Sequence, residues 1–241
     1  MKNKINTRLD QAILEANALF KEFLAAWVMY TIGRDNLPRI ANDTAISPCV
    51  GYNQRIEPIP IAIIKRFVVG YPHFILEVYH GKFVHLANRL MDDIFCVLLE
   101  EHLLKTRPFV ELKTQQVKID FSAEEDLLTQ LKENCAKDFT FYKYSERLKI
   151  VNKALNPGND GQDQIANIKK HILVRNAIQH SNGMVDDYML RELGRTDFEL
   201  ADERGNMMTY TKGDKVMLTI PELHGFMSSL LGVVQEWRVN K

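Results

Sequence analysis

Apolar residues recur along most of this chain at three- and four-residue spacing, whereas period-two alternation is confined to a stretch near the C-terminus, a contrast that predicts a mainly helical fold. Leu9, Ile13, Ala16, Phe20, Phe23, Leu24 and Trp27 mark a helix from about Leu9 to Thr31, with Gly33 as its terminator. Its apolar and aromatic stripe is read as packing on its own domain, the commoner use of such a face. Residues 36 to 60 carry Pro38, Pro48, Pro58 and Pro60 among Asn, Asp, Ser and Gly, which predicts an irregular connection. A second apolar run starts at Ile61, and Pro72 opens a helical pattern through Phe83, Leu86, Leu90, Ile94 and Leu98.

Beyond Pro108 the pattern lapses into an extended linker, until Ser122-Ala-Glu-Glu125 supplies a capping box for a helix to about Ala136. Another helix is expected from Ser145 to Leu155, ended by the turn-forming run from Asn156 to Gly161. Ile165, Ile168, Ile172 and Leu173 then define a helix closed by Asn182-Gly183, and a short helix follows near Asp187 to Leu193. Residues 197 to 201, 207 to 211 and 216 to 220 read as short strands, and Thr219-Ile-Pro-Glu222 as a capping box for a last helix to about Trp237. The expected fold is therefore mainly α, a helical bundle with a small antiparallel β appendage near the C-terminus. Residues 1 to 60 form an N-terminal helix and connection packing on the main domain, which spans 61 to 241 and carries a hairpin or meander at about 197 to 220.

Composition bounds the partners. At 241 residues and 46% hydrophobic content the chain can bury a sizeable core. Lys plus Arg and Asp plus Glu both number 31, so there is no global positive field, and any nucleic-acid site must be local. The three cysteines, Cys49, Cys96 and Cys135, show neither paired nor metal-ligand spacing, and Cys96 and Cys135 are read as core thiols of a protein kept in a reducing compartment. With neither a secretory leader pattern nor a membrane-spanning apolar run, the reading is a cytoplasmic protein without membrane contact.

Several groups attract a chemical reading and lose it on spacing. Asp92, Asp93, Glu100 and Glu101 are expected to line a solvated face, and His80, His85 and His102 lack a metal-binding frame, so no metal and no cofactor is called for. Phe139, Phe141, Tyr142 and Tyr144 are expected to pack in the core ahead of stacking on bases. Between 143 and 175, Lys143, Arg147, Lys149, Lys153, Lys169, Lys170 and Arg175 outnumber Glu146, Asp160 and Asp163. That local excess either steers a phosphate backbone or lies on an ordinary solvated surface.

The one credible constellation lies at the end of the helix closed by Asn182-Gly183. His171, Arg175, Asn176 and His180 fall on its last turns: Asn176 and His180 share a face, His171 and Arg175 a neighbouring one. The C-terminal dipole favours protonated imidazole at His180, and a guanidinium that can fork onto phosphate beside it is what phosphodiester cleavage without a metal needs.

Arg175-Asn176-x-x-x-His180 resembles the R-x4-6-H motif of the HEPN superfamily (higher eukaryotes and prokaryotes nucleotide-binding domains), over roughly residues 80 to 238. The resemblance implies a helical, metal-independent endoribonuclease of a toxin–antitoxin or other defence system. It also implies a homodimer whose two motifs build one composite site, with Arg175 and His180 catalytic, and Asn176 positioning one of them. Lys169, Lys170 and His171 are the candidate RNA-binding residues beside it. An antitoxin or defence-system protein is the expected further partner. Members regulated by nucleotidyltransferase antitoxins continue the motif as H-x-Y, where this chain has Asn182, although Tyr188 lies nearby. The alternative is a noncatalytic RNA-binding, dimerisation or adaptor module on the same fold.

Overall fold

A computed structural model describes residues 2–47, 49–50, 54–55, 57–112, 117–122, 124–156 and 162–238. Pro48 and the turn residues 157–161 of the expected helix-ending loop lie outside them. The N-terminal pattern gives one long helix, α1 (Lys2–Asn36), which runs on through Gly33 and meets a 3-10 turn at Leu37–Arg39. Gly33 does not stop it, because a glycine breaks a helix only where the chain can leave in another conformation; here Asn36 and Pro38 provide the exit. Ile5, Leu9, Ala12, Ala16 and Phe23 are buried, so the stripe does pack inward.

The connection is less irregular than its prolines suggest. Two antiparallel ladders nest within it, β1 (Ala45–Ile46) with β4 (Ile59–Pro60) and β2 (Cys49–Val50) with β3 (Gln54–Arg55), each two residues long. Helix α2 (Ile61–Gly70) follows, and a break at Tyr71–His73 separates it from α3 (Phe74–Leu103), the central helix. Leu86, Leu90, Ile94 and Leu98 are all buried on α3, which packs against α1 and against four later helices.

Helix α4 (Leu127–Thr140) is capped four residues later than the expected Ser122. Asp126 is its cap, accepting from the amides of Leu128 and Thr129 at 2.9 and 3.0 Å, while Ser122 is held by Asp120 in a turn of its own. Helix α5 (Tyr144–Leu155) packs on α6 (Gln162–His180), which lies against α3 and α8 (Ile220–Glu236). Helix α7 (Asp187–Leu193) leads to a hairpin of β5 (Phe198–Ala201) and β6 (Met207–Tyr210), in register Phe198 to Tyr210.

The expected third strand of that appendage does not form. Residues 213–216 instead pair with 183–185, the segment leaving α6: Val185 N–H donates to the Asp214 carbonyl at 2.9 Å and Val216 N–H to the Gly183 carbonyl at 2.8 Å. Among the described residues no helix is long and apolar enough to cross a membrane.

Two buried polar assignments correct the sequence reading. Glu101 is buried, not solvated, and burial pushes its carboxyl above the usual range. Asp92 faces Arg147, which is itself buried beneath α3 in cation–π contact with Phe139. Cys135 is a core thiol as expected, whereas Cys96 is exposed on α3.

Candidate functional site

Helix α6 ends as its residues require. Asn182 (φ 54°) and Gly183 (φ 78°) both turn left-handed, and Gly183 N–H closes back onto the Ala177 carbonyl at 2.9 Å. The chain then pairs with 213–216 and reaches Asp186, which caps α7 by accepting from the Met189 amide at 2.7 Å. The last turn of α6 and the first of α7 are thereby held at a fixed angle, enclosing a cleft of about 350 Å³.

Arg175, Asn176 and His180 all line this cleft, together with Tyr144, Asp186 and Tyr188. Arg175 and Asn176 are half-buried and His180 is exposed. The Arg175 Nη1 donates to Asn176 Oδ1 at 3.2 Å. No carboxylate among the described residues pairs with the Arg175 guanidinium, and its Nε–H is buried without an acceptor. A second cleft of about 370 Å³ adjoins the first, shares Tyr144, Asn176 and Tyr188 with it, and extends it to Phe141, Lys143 and Lys169. Phe141, expected in the core, is 78% exposed there, while Phe139 is the member of that aromatic group that is buried, stacked on Phe95 at 3.9 Å. Phe141 was hidden from sequence reasoning because it follows the last turn of α4, where the apolar period no longer reports burial.

The three residues expected to flank the motif part company. His171 is fully buried on the opposite face of α6, stacked on Phe226 at 4.2 Å, and its ring is closed to a polymer at the surface. Its Nδ1 lies 3.1 Å from His80 Nε2, and its Nε2 lies 3.1 Å from Glu222 Oε1. Lys170 reaches the same Glu222 oxygen at 2.9 Å and the Glu199 carbonyl at 2.9 Å; Lys169 donates to the Glu192 carbonyl. Much of the positive excess around the motif is therefore engaged within the chain: Lys143 with Glu192 at 3.2 Å, Arg147 with Asp92, Lys170 with Glu222.

Burial lowers both imidazoles, His80 well below its usual value, which keeps them neutral near pH 7. His171 then faces Glu222 as a neutral ring, close to the carboxylate without adding a charge to it. Burial by itself raises Glu222, but the His171 and Lys170 interactions and the Ala201 amide outweigh it and take the carboxyl down to about 2. The Ala201 N–H donates to Glu222 Oε2 at 2.6 Å, and Thr219 Oγ1 donates to the Ala201 carbonyl at 2.7 Å. Thr219 caps α8 as expected, yet Glu222 does not complete the capping box; its carboxylate ties α8 to β5 and α6 instead.

Among the described residues no three His, Cys, Asp or Glu side chains converge as metal ligands. A further cavity of about 720 Å³ lies between α1, α3 and the end of α6, where Glu22 pairs with Lys82 and Glu15 with Arg89 across it. Comparison of the chain with family models, with curated proteins and with solved structures returned no match.

Proposed function

We propose that this chain is a metal-independent endoribonuclease of a defence or toxin–antitoxin type, acting in the cytoplasm as a homodimer with a composite site. The observation that supports this reading is the cleft shared by Arg175, Asn176 and His180, in which the arginine has no acidic partner among the described residues. A half-buried guanidinium without an acidic partner is a charged, fork-shaped donor that an incoming phosphate oxygen meets without displacing a carboxylate. In the chemistry this allows, the ribose 2′-hydroxyl attacks the adjacent phosphorus, the bond to the 5′-oxygen breaks, and His180 moves the proton between those oxygens. The products carry a 2′,3′-cyclic phosphate and a 5′-hydroxyl. Arg175 stabilises the charge on the phosphorane-like transition state, and Asn176 holds the guanidinium in place.

The adjoining cleft supports base stacking on Phe141 and Tyr188 whether or not cleavage follows, and so favours a noncatalytic RNA-binding module as the second reading. Incubating the purified chain with RNA in excess chelator separates the two. Cleavage to cyclic-phosphate ends, abolished by His180→Ala and by Arg175→Ala at unchanged helical content, is expected. RNA bound and left intact by the wild type moves the chain to the module reading, and a variant that cleaves as fast as wild type removes that residue from the mechanism.

A further inference from the structure

The cleft of about 370 Å³ beside the Arg175 cleft falls within the roughly 300–1,000 Å³ of ordinary small-ligand sites. The two clefts share Tyr144, Leu173, Asn176 and Tyr188, so they are halves of one groove, with Arg175 lining only the first and Phe141 only the second. The second half is built on the step from α4 to α5. Phe141 and Lys143 are exposed there and Tyr142 and Tyr144 half-buried, and the step is fixed by the Phe141 amide on the Asp138 carbonyl at 3.0 Å and the Tyr142 amide on the Phe139 carbonyl at 3.1 Å. Helix α7 supplies Tyr188 and, one turn on along the same face, Glu192, whose carbonyl is held by Lys169 of α6.

Exposed rings such as Phe141 and Tyr188 accept any base, because every base has a π-face. Discrimination comes from the edge of the base, and the charged groups that line this half are the Glu192 carboxylate and the Lys143 ammonium, 3.2 Å apart, with Lys169 already given to a carbonyl. The Glu192 side chain is 20% exposed; its Oε1 faces Lys143 and its Oε2 has no hydrogen-bond partner among the described residues. The Lys143 side chain is 64% exposed, and an ion pair so open at one end yields readily to a competing edge.

A carboxylate only accepts hydrogen bonds and an ammonium only donates them. The base edge that satisfies both is the Watson–Crick edge of guanine: N1–H and the N2 amino group offer two adjacent donors to the carboxylate, and O6 accepts from the ammonium. Adenine and cytosine set a ring-nitrogen acceptor beside their single amino donor, and uracil flanks its one N–H with two carbonyls. Each of these turns an acceptor towards Glu192. In a duplex the guanine edge is already taken by cytosine.

We propose that this second half of the groove is a base subsite selective for an unpaired guanine, which stacks on Phe141 and Tyr188 and is held at its edge by Glu192 and Lys143. The proposal rests on the reading of the Arg175 cleft as an RNA site and names the base that the adjoining cleft takes. Asn176, common to both halves and bonded to Arg175 at 3.2 Å, lies between the base and the phosphate.

The test uses the full chain and single-stranded 2′-O-methyl oligonucleotides, which lack the attacking hydroxyl and stay intact, in a uniform uridine context with one central G, A, C or U. By fluorescence anisotropy the G strand is expected to bind about tenfold tighter than the others, an advantage lost on annealing a complementary strand. Glu192→Gln should bring the four strands within about twofold of one another, and Lys143→Ala, at an exposed side chain, should cut the preference to roughly a third even where the first variant loosens α7. Phe141→Ala should weaken all four about tenfold at unchanged helical content. Equal binding of the four strands by wild type overturns the proposal, as does no binding at all. A G preference unchanged in either charge variant, or binding untouched by Phe141→Ala, overturns it too. Cleavage of ordinary RNA is scored separately: cleavage indifferent to guanine sinks the subsite alone, and guanine-selective binding without cleavage sinks only the nuclease reading.

Discussion

Replacing Glu222 by glutamine keeps the side-chain shape and removes the charge at the point where α6, α8 and β5 meet. The wild-type carboxylate pairs with Lys170 Nζ at 2.9 Å, accepts from the Ala201 amide at 2.6 Å and lies 3.1 Å from His171 Nε2. A glutamine has one acceptor oxygen for these donors and turns its NH₂ towards another donor. Breaking such a buried, charge-assisted set costs about 3 kcal/mol. The ionisation argument gives a similar size: lowering the carboxyl from 4.5 to about 2 corresponds to about 3 kcal/mol favouring the folded, ionised form. That figure is an upper value near neutral pH, where burial keeps His171 neutral and it contributes no charge. The sign follows from a folded value below the unfolded one: the stabilisation is complete above pH 4.5 and lost as pH falls towards 2. Urea unfolding of Glu222→Gln at pH 7 should therefore show a lower midpoint at unchanged slope, equivalent to about 2–3 kcal/mol, and a melting temperature about 5–10 °C lower. Below pH 4.5 the variant should lack the acid-induced loss that the wild type shows. A variant within about 0.5 kcal/mol of wild type, or one with an unaltered acid limb, would refute the claim that this carboxylate clamps the three elements.

The remaining predictions concern the core and its imidazoles. Phe139→Ala should cost about 3–5 kcal/mol, because the ring is fully buried against Phe95, whereas Phe141→Ala should stay within about 0.5 kcal/mol; chemical denaturation of both variants checks the division of that aromatic group. His80 resists protonation when folded, so its contribution is present above pH 6.5 and is lost as pH falls below it. His80→Phe should flatten the decline in urea midpoint between neutral pH and pH 5, and an unchanged decline would place the responsible group elsewhere.

What the sequence made legible was whatever depends on local period and local turn chemistry. The buried face of α3, the Thr219 cap, the left-handed end of α6 and the hairpin at 198–210 all follow from residues within a few positions of one another. What escaped depends on contacts made far along the chain. Residues 216–220 have a strand's alternation, but the pairing with 183–185 is confined to 213–216, with a single bridge and three backbone hydrogen bonds. Arg147 and Lys170 count as surface charge in any window of sequence, and only the meeting with Asp92 on α3 and Glu222 on α8 shows them to be inward-facing. Even locally, competition decides: Asp126 with Thr129 offers helix α4 a better start than Ser122, whose hydroxyl is taken by Asp120. The candidate site divides on the same line, Arg175, Asn176 and His180 converging through helical spacing while His171, one turn earlier, turns into the core.

That division explains how a short helix end can hold a site firmly. On its inner face α6 is fixed by His171 between His80 of α3 and Glu222 of α8, contacts that a neutral imidazole makes only in one ring orientation. Beyond its last turn it is fixed again, by the pairing of 183–185 with 213–216 and by the Asp186 cap on α7. Arg175 lies one turn from the first anchor and His180 three residues from the second. Apart from Asn176 Oδ1 on the Arg175 guanidinium, the two side chains are positioned by the backbone that carries them, which is anchored on both sides. This leaves the guanidinium free of any acidic residue among those described and the imidazole open to solvent, the condition that the proposed phosphodiester chemistry requires.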